Sequence, residues 1–242
     1  MKKTLFIYLS FLLILFYTGC SKNDSPDPSS PQEVLEKLYS DAVTDAITAD
    51  SSEICDSLWP INSANSKLEW ETINNEKYVL VGNFNGYPDS YSDTSVINSW
   101  GIIWVFIPEQ YKNRMKSSPA TNNDTLLRIS QLLGLPPVNS NKYIVELWVR
   151  PADLYRPAAD PEIDDNTAGQ YLPSNSNADY AIWFNKQIYN SYFASGKHYP
   201  WTRLGYTFDW ANPASEVGVC EYCVKTNSLL FVKKLCLAKS YL

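Results

Sequence analysis

The 242-residue chain carries 20 basic and 26 acidic side chains, 45% hydrophobic residues and eight tryptophans. Its length suits one large domain or two small ones. Its net charge of −6 argues against nucleic acid and anionic head groups as partners, because neither is drawn to a negative surface.

The chain opens on Lys2-Lys3, the apolar run Leu5–Phe16 and the small residues ahead of Cys20. The run falls short of the roughly 20 apolar residues that cross a bilayer, so residues 1–19 read as a cleaved export signal. Thr18-Gly19-Cys20 resembles the lipobox of bacterial lipoproteins, with Tyr17 where that box usually carries leucine. The resemblance implies that Cys20 receives palmitate-type acyl chains and becomes the new N-terminus. The protein would then be lipid-anchored in the bacterial cell envelope, at the outer membrane, on its surface or periplasmic face. Loss of Lys2 and Lys3 leaves a mature charge of about −8. Residues 20–31 combine the lipidated cysteine with a Ser-, Pro- and charge-rich tether that has nothing to bury. Within it, Lys22-Asn23-Asp24 resembles the short acidic surface-export signals of Bacteroidetes lipoproteins.

Pro31 opens a predicted helix whose Val34, Leu35, Leu38, Ala42, Val43 and Ala46 share one face. Lys67–Ile73 and Lys77–Phe84 predict a hairpin about Asn74-Asn75. Residues 85–98 read as a polar loop. Trp100–Ile107 is apolar on both faces, as a central strand covered on each side would be. Pro108 starts a short helix to Lys116. After a second polar loop, Asp124 caps a helix through Leu133, stopped by Gly134 and Pro136-Pro137. Tyr143–Arg150 is a strand with Glu146 and Arg150 on the face of Ile144 and Trp148. Residues 151–178 predict a long ordered loop and Asp179–Phe193 an aromatic helix. Arg203–Trp210 and Val217–Lys225 are closing strands, with Leu229–Leu235 as a further candidate. The pattern predicts a single α+β domain over 32–242, a largely antiparallel sheet with several packed helices.

Leu126 to Tyr222 contains Leu132-Leu133-Gly134-Leu135-Pro136-Pro137, Trp148-Val149-Arg150-Pro151 followed by Asp153-Leu154-Tyr155-Arg156-Pro157, and Asp160-Pro161-Glu162-Ile163. It also contains Tyr199-Pro200-Trp201-Thr202-Arg203-Leu204-Gly205-Tyr206-Thr207-Phe208-Asp209-Trp210. These words resemble a family of uncharacterised exported bacterial proteins. The resemblance implies a domain identity and no activity or catalytic residues.

Absences narrow the chemistry. The single histidine, His198, rules out a zinc site built on several histidines and could serve at most one triad. No serine lies in a nucleophile elbow, and neither a glycine-rich phosphate loop nor a Walker lysine is present. No cofactor and no metal site are expected. Cys220 and Cys223 have C-x-x-C spacing, but three residues apart on a strand means opposite faces, which favours buried thiols or a link to Cys236 over a redox or zinc pair. Cys55 is the fourth cysteine outside the lipobox. Asp160, Glu162, Asp164 and Asp165 have calcium-loop spacing without the glycine and the glutamate that an EF-hand needs, so a solvated acidic loop is the expectation.

The strand faces supply the candidate site. Glu146, Arg150, Arg203, Asp209 and Glu221, beside Trp148, would converge if their faces met. Such a group can be a structural ion network, a ligand site or a catalytic pair. The favoured function is a lipid-anchored binding or envelope-structural module taking a glycan or peptide ligand. The alternative is a glycan-active hydrolase using paired carboxylates.

Overall fold

The computed structural model describes residues 30–118 and 124–242. The export signal, Cys20 and nearly all of the tether lie outside the described residues, as does part of the second polar loop. Among the described residues are four α-helices and nine strands joined in one antiparallel sheet, an α+β domain.

Helix α1 spans Pro31–Asp45. Ser30 and Glu33 close a reciprocal capping box at its start, which satisfies two otherwise unpaired backbone donors. Its second half packs most closely: Ala42, Val43 and the C-cap Ala46 are buried and Leu35 and Tyr39 partly so, while Val34 and Leu38 are each 44% exposed. The expected apolar face is therefore used for about half of its length. Strands β1 (Trp70–Ile73) and β2 (Glu76–Asn85) form the expected hairpin. Asn74 and Asn75 take φ of 53° and 66°, the left-handed pair that a tight hairpin turn requires. The polar stretch that follows contains the edge strand β3 (Ser95–Ile97).

Strand β4 is confined to Ile103–Phe106, two residues past Gly101 at φ 136°. Helix α2 runs Pro108–Ser117 and α3 runs Thr125–Leu132, capped by the Asp124 side chain. Gly134 stands just past α3 at φ 64°, a left-handed stop. Strand β5 (Tyr143–Val149) is buried on both faces after its first residue, so its Glu146 sits in the interior. Within the long loop, Leu154-Tyr155 forms the short strand β6. Helix α4 spans Ala178–Tyr192. The predicted strand Arg203–Trp210 shrinks to β7, Tyr206–Phe208, because Arg203 at φ 62° and Gly205 at φ 82° bend its first half out of extended geometry. Strands β8 (Val217–Val224) and β9 (Leu229–Leu237) complete the sheet.

The sheet order is β3-β9-β5-β2-β4-β8-β6, with β1 beside β2 and β7 beside β8. Alternate residues face alternate sides. Val79, Val81, Val145, Leu147, Val105 and Tyr222 build the largest core on one face. Phe84, Phe106 and Ile144 face the other way, onto Tyr111 and Met115 of α2 and Ile129 and Leu132 of α3. A third cluster joins α1 to α4 through Phe184, Tyr192, Trp201, Phe208 and Trp210, with Trp104 packed against it.

One feature of the register positions the site. β2 pairs with β5 over seven residue pairs and β4 pairs with β8 over four, yet β2 and β4 share one recorded pair, Gly82 with Phe106. The two halves of the sheet touch there and then part.

Candidate functional site

A cleft of about 490 Å³ opens where β2 and β4 diverge. Its walls are Asn83–Asn85 of β2, Ile103–Phe106 of β4, the turn after α3, Gln187 and Ser191 of α4, and the Tyr199–Trp201 segment. That volume falls within the range of small-ligand sites. Three aromatic rings stand at its mouth: Tyr87 is 72% exposed, Trp100 51% and Tyr199 38%. Deeper in, Trp104 and Trp201 meet edge to face with centroids 5.9 Å apart. Trp201 is fixed from behind, because its indole N–H donates to the Pro157 carbonyl and its ring contacts Phe184 and Trp183. These perpendicular pairs hold the rings rigidly.

Glu221 of β8 lines the cleft. Its backbone N–H is taken by the Gly205 carbonyl, but among the described residues no side chain or backbone donor reaches its carboxyl. Glu221 is partly exposed to the cleft, and desolvation by the surrounding protein pushes its carboxyl up to about 8 from an ordinary 4.5. The lining residues include no lysine, arginine or histidine and no second carboxylate. Two amide atoms of cleft-lining residues are also unpaired. Asn83 donates its Nδ2 to the Trp104 carbonyl at 2.9 Å, which fixes the amide orientation and leaves Oδ1 without a donor. Asn85 accepts from the Tyr87 N–H through Oδ1 and has an orphaned Nδ2. Buried polar atoms without partners are uncommon in native proteins, and here both belong to residues that line one cleft.

The six residues predicted from strand faces do not come together. Glu146 and Glu221 do share one face and one row of the sheet, Glu146–Gly82–Phe106–Glu221. Three strand spacings put roughly 14 Å between them. The Phe106 ring also occupies the gap, lying over Gly82 so closely that an added Cβ would stand 2.5 Å from it. Glu146 is instead satisfied by the C-terminal Tyr241, whose hydroxyl donates to it at 2.6 Å, and by Lys112 at 3.5 Å. Trp148 packs with Tyr78 and Leu80 under the Lys233 ammonium. Arg150 pairs with Asp153 at 2.8 Å and reaches Glu76 at 3.5 Å on a partly exposed edge.

Arg203 caps α1, donating to the carbonyls of Ala46 and Ile47. Asp209 is held by Arg128 of α3 through two parallel bonds of 2.8 and 2.6 Å, with both side chains about 4% exposed or less. The cation that holds Asp209 thus comes from a helix and not from Arg150 or Arg203 of the predicted group. Convergence is therefore corrected, and Glu221 alone of the six lines the cleft.

Other candidates resolve in the same way. Cys220 faces Gln110 and the Trp59 N–H, whereas Cys223 is buried against Tyr155 on the other face. All four described cysteines are free thiols. In the acidic loop, Asp165 accepts from the fully buried Arg156, whose guanidinium also reaches the Asp165 and Thr167 carbonyls. The loop is thus ordered by an internal arginine. An unanticipated acidic group, Asp45, Glu53 and Glu216, brings three carboxylates within 4.8 Å of one another. Burial, reinforced by the other two acids, pushes the Glu216 carboxyl up.

Sequence reasoning missed Asn83, Trp104 and Gln187 as site residues. A faint signal existed in Asn83 and Asn85, two amides at the end of an otherwise apolar strand. Compared with protein-family models, with curated proteins and with solved structures, the chain finds no match in any of the three.

Proposed function

We propose that this chain is a lipid-anchored extracytoplasmic binding module of the bacterial envelope, and that the cleft between β2 and β4 is its ligand site. The observation that carries this reading is the unpartnered Glu221 carboxyl inside an aromatic-walled cleft. An isolated acid in such surroundings costs the fold stability, and a ligand that completes its hydrogen bonding would recover that cost. Exposed rings at the mouth suit a glycan ring or a peptide side chain, which stack on aromatic faces while their polar edges meet Glu221. The anchoring at Cys20 rests on the lipobox resemblance alone.

The rival reading, glycoside hydrolysis, requires two carboxyl groups flanking one bond, at most roughly 9.5 Å apart. The cleft offers one carboxyl, and Glu146 stands roughly 14 Å along the row. Binding without bond cleavage is the better fit.

Glycan and peptide arrays probed with the wild type and with Trp100→Ala test the proposal. Trp100 is half exposed, so its removal should leave the melting temperature unchanged while weakening the captured ligand about tenfold, the worth of one stacked ring. Equal capture by wild type, Trp100→Ala and Glu221→Gln would overturn it.

A further inference from the structure

We infer that the group recognised at the floor of the cleft is an organic cation, an alkylammonium held between the Glu221 carboxylate and the faces of Trp104 and Trp201. This rests on the reading of the cleft as a ligand site and names the chemistry of its occupant.

Buried carboxylates are ordinarily paired with a cation or with several N–H donors. Asp209 follows that rule with Arg128, and Glu146 with Tyr241 and Lys112. Glu221, partly exposed to the cleft, has no such partner among the described residues, although it stands on a central strand among aromatic residues. Once ionised, Glu221 finds no cation among the described residues that line the cleft, so a ligand can supply one.

The surroundings select a cation over a neutral donor. Aromatic rings carry negative potential on their faces and attract ammonium groups within about 6 Å, and Trp104 and Trp201, packed edge to face, both line the cleft. No basic side chain lines the cleft to repel a cation. The protein's net charge of −6 favours cation entry as well.

Without a cation partner the acid holds its proton at neutral pH. Cation binding then proceeds by exchange: the carboxyl O–H bond breaks, the proton leaves to buffer, and the ammonium takes its place. The titratable groups facing Glu221 are Cys223 on its own strand and Tyr192 on α4. Burial raises both well above neutrality, so the exchange belongs to Glu221. Tyr199 lies at the cleft mouth.

Isothermal titration of the purified full chain tests this with n-butylammonium, 1-butanol as its neutral counterpart, and methyl glucoside. At pH 9 n-butylammonium should bind at least tenfold more tightly than 1-butanol. Its affinity should fall about tenfold per pH unit below about 8. Comparison of buffers with different ionisation enthalpies at pH 7 should show close to one proton released per cation bound. Glu221→Gln should abolish both the release and the preference for the cation, with its near-ultraviolet circular dichroism matching wild type. The wild-type pH series stands without the variant should the variant fail to fold. Binding of methyl glucoside or 1-butanol as tight as that of n-butylammonium, without proton release, would overturn the inference and leave the cleft as a neutral-ligand site. If none of the three changes the heat or the tryptophan fluorescence, the inference and the ligand-site reading fall together.

Discussion

Replacing Glu221 by glutamine keeps the shape of the side chain and removes its titration, so the pair isolates one effect. In the folded protein the carboxyl holds its proton up to about pH 8, against 4.5 for the free side chain. Between those values the folded state binds a proton that the unfolded state has released. Stability must therefore fall as pH rises through the window and level off above it. The full difference of three and a half units, at 1.36 kcal/mol per unit, is about 5 kcal/mol. Glu221 still touches the water of the cleft, which shields part of this, so ~2–5 kcal/mol is expected. Against a total domain stability of about 5–15 kcal/mol the effect is large. Urea unfolding of wild type and Glu221→Gln at pH 4, 6, 8 and 9.5 measures it. The variant should match wild type at pH 4 and exceed it increasingly up to pH 8, with m-values unchanged. Parallel stability curves for the two proteins would show that the carboxyl is well solvated, and the account of the cleft would fail.

Other outcomes follow from the same structure. Asp209→Asn and Arg128→Met should each destabilise by about 3–5 kcal/mol, since each strands a buried partner; a double-mutant cycle should return a large coupling between them, as urea melts would show. Glu146→Gln should lose about 1–3 kcal/mol through its bonds with Tyr241 and Lys112 while leaving ligand capture unchanged, measured by melting and by array binding. Gly82→Ala should destabilise by about 1–3 kcal/mol because the Phe106 ring fills the space of the new methyl. Asp45→Asn should stabilise by about 0.3–1 kcal/mol, because Asp45 ends α1 against the helix dipole and beside two other acids. Glu216 is held above its usual range, so that cluster also costs stability as pH rises through its titration and relents as pH falls. Cys20→Ala should release the protein from the membrane fraction and abolish palmitate incorporation.

The elements were legible where local chemistry decides them. The hairpin at Asn74-Asn75, the Pro108 helix start, the Asp124 cap and the Gly134 stop each depend on neighbours within a few residues, and each appears where its residues predict. The strand at 203–210 was misjudged because apolar alternation was visible and the left-handed backbone at Arg203 was not. The site was harder still. Side-chain alternation gives the face of each residue within its own strand, but it carries no information on strand order. Two intervening strands and the Phe106 ring separate what the pattern suggested would meet. Nothing local in the sequence marks Arg128 of the capped helix, and tertiary packing turns it onto Asp209. The cleft itself arises from a failure of pairing between β2 and β4, a property of no single segment.

The central claim is that Glu221 waits in the cleft without a partner and that a cation supplies one. Carbon-13 NMR of carboxyl-labelled glutamate, assigned by loss of the signal in Glu221→Gln, tests this most directly. Free protein should show one glutamate titrating near pH 8, and saturating n-butylammonium should move that midpoint downward. A Glu221 signal titrating near 4.5 in the free protein, or a midpoint that does not respond to the cation, would contradict the account.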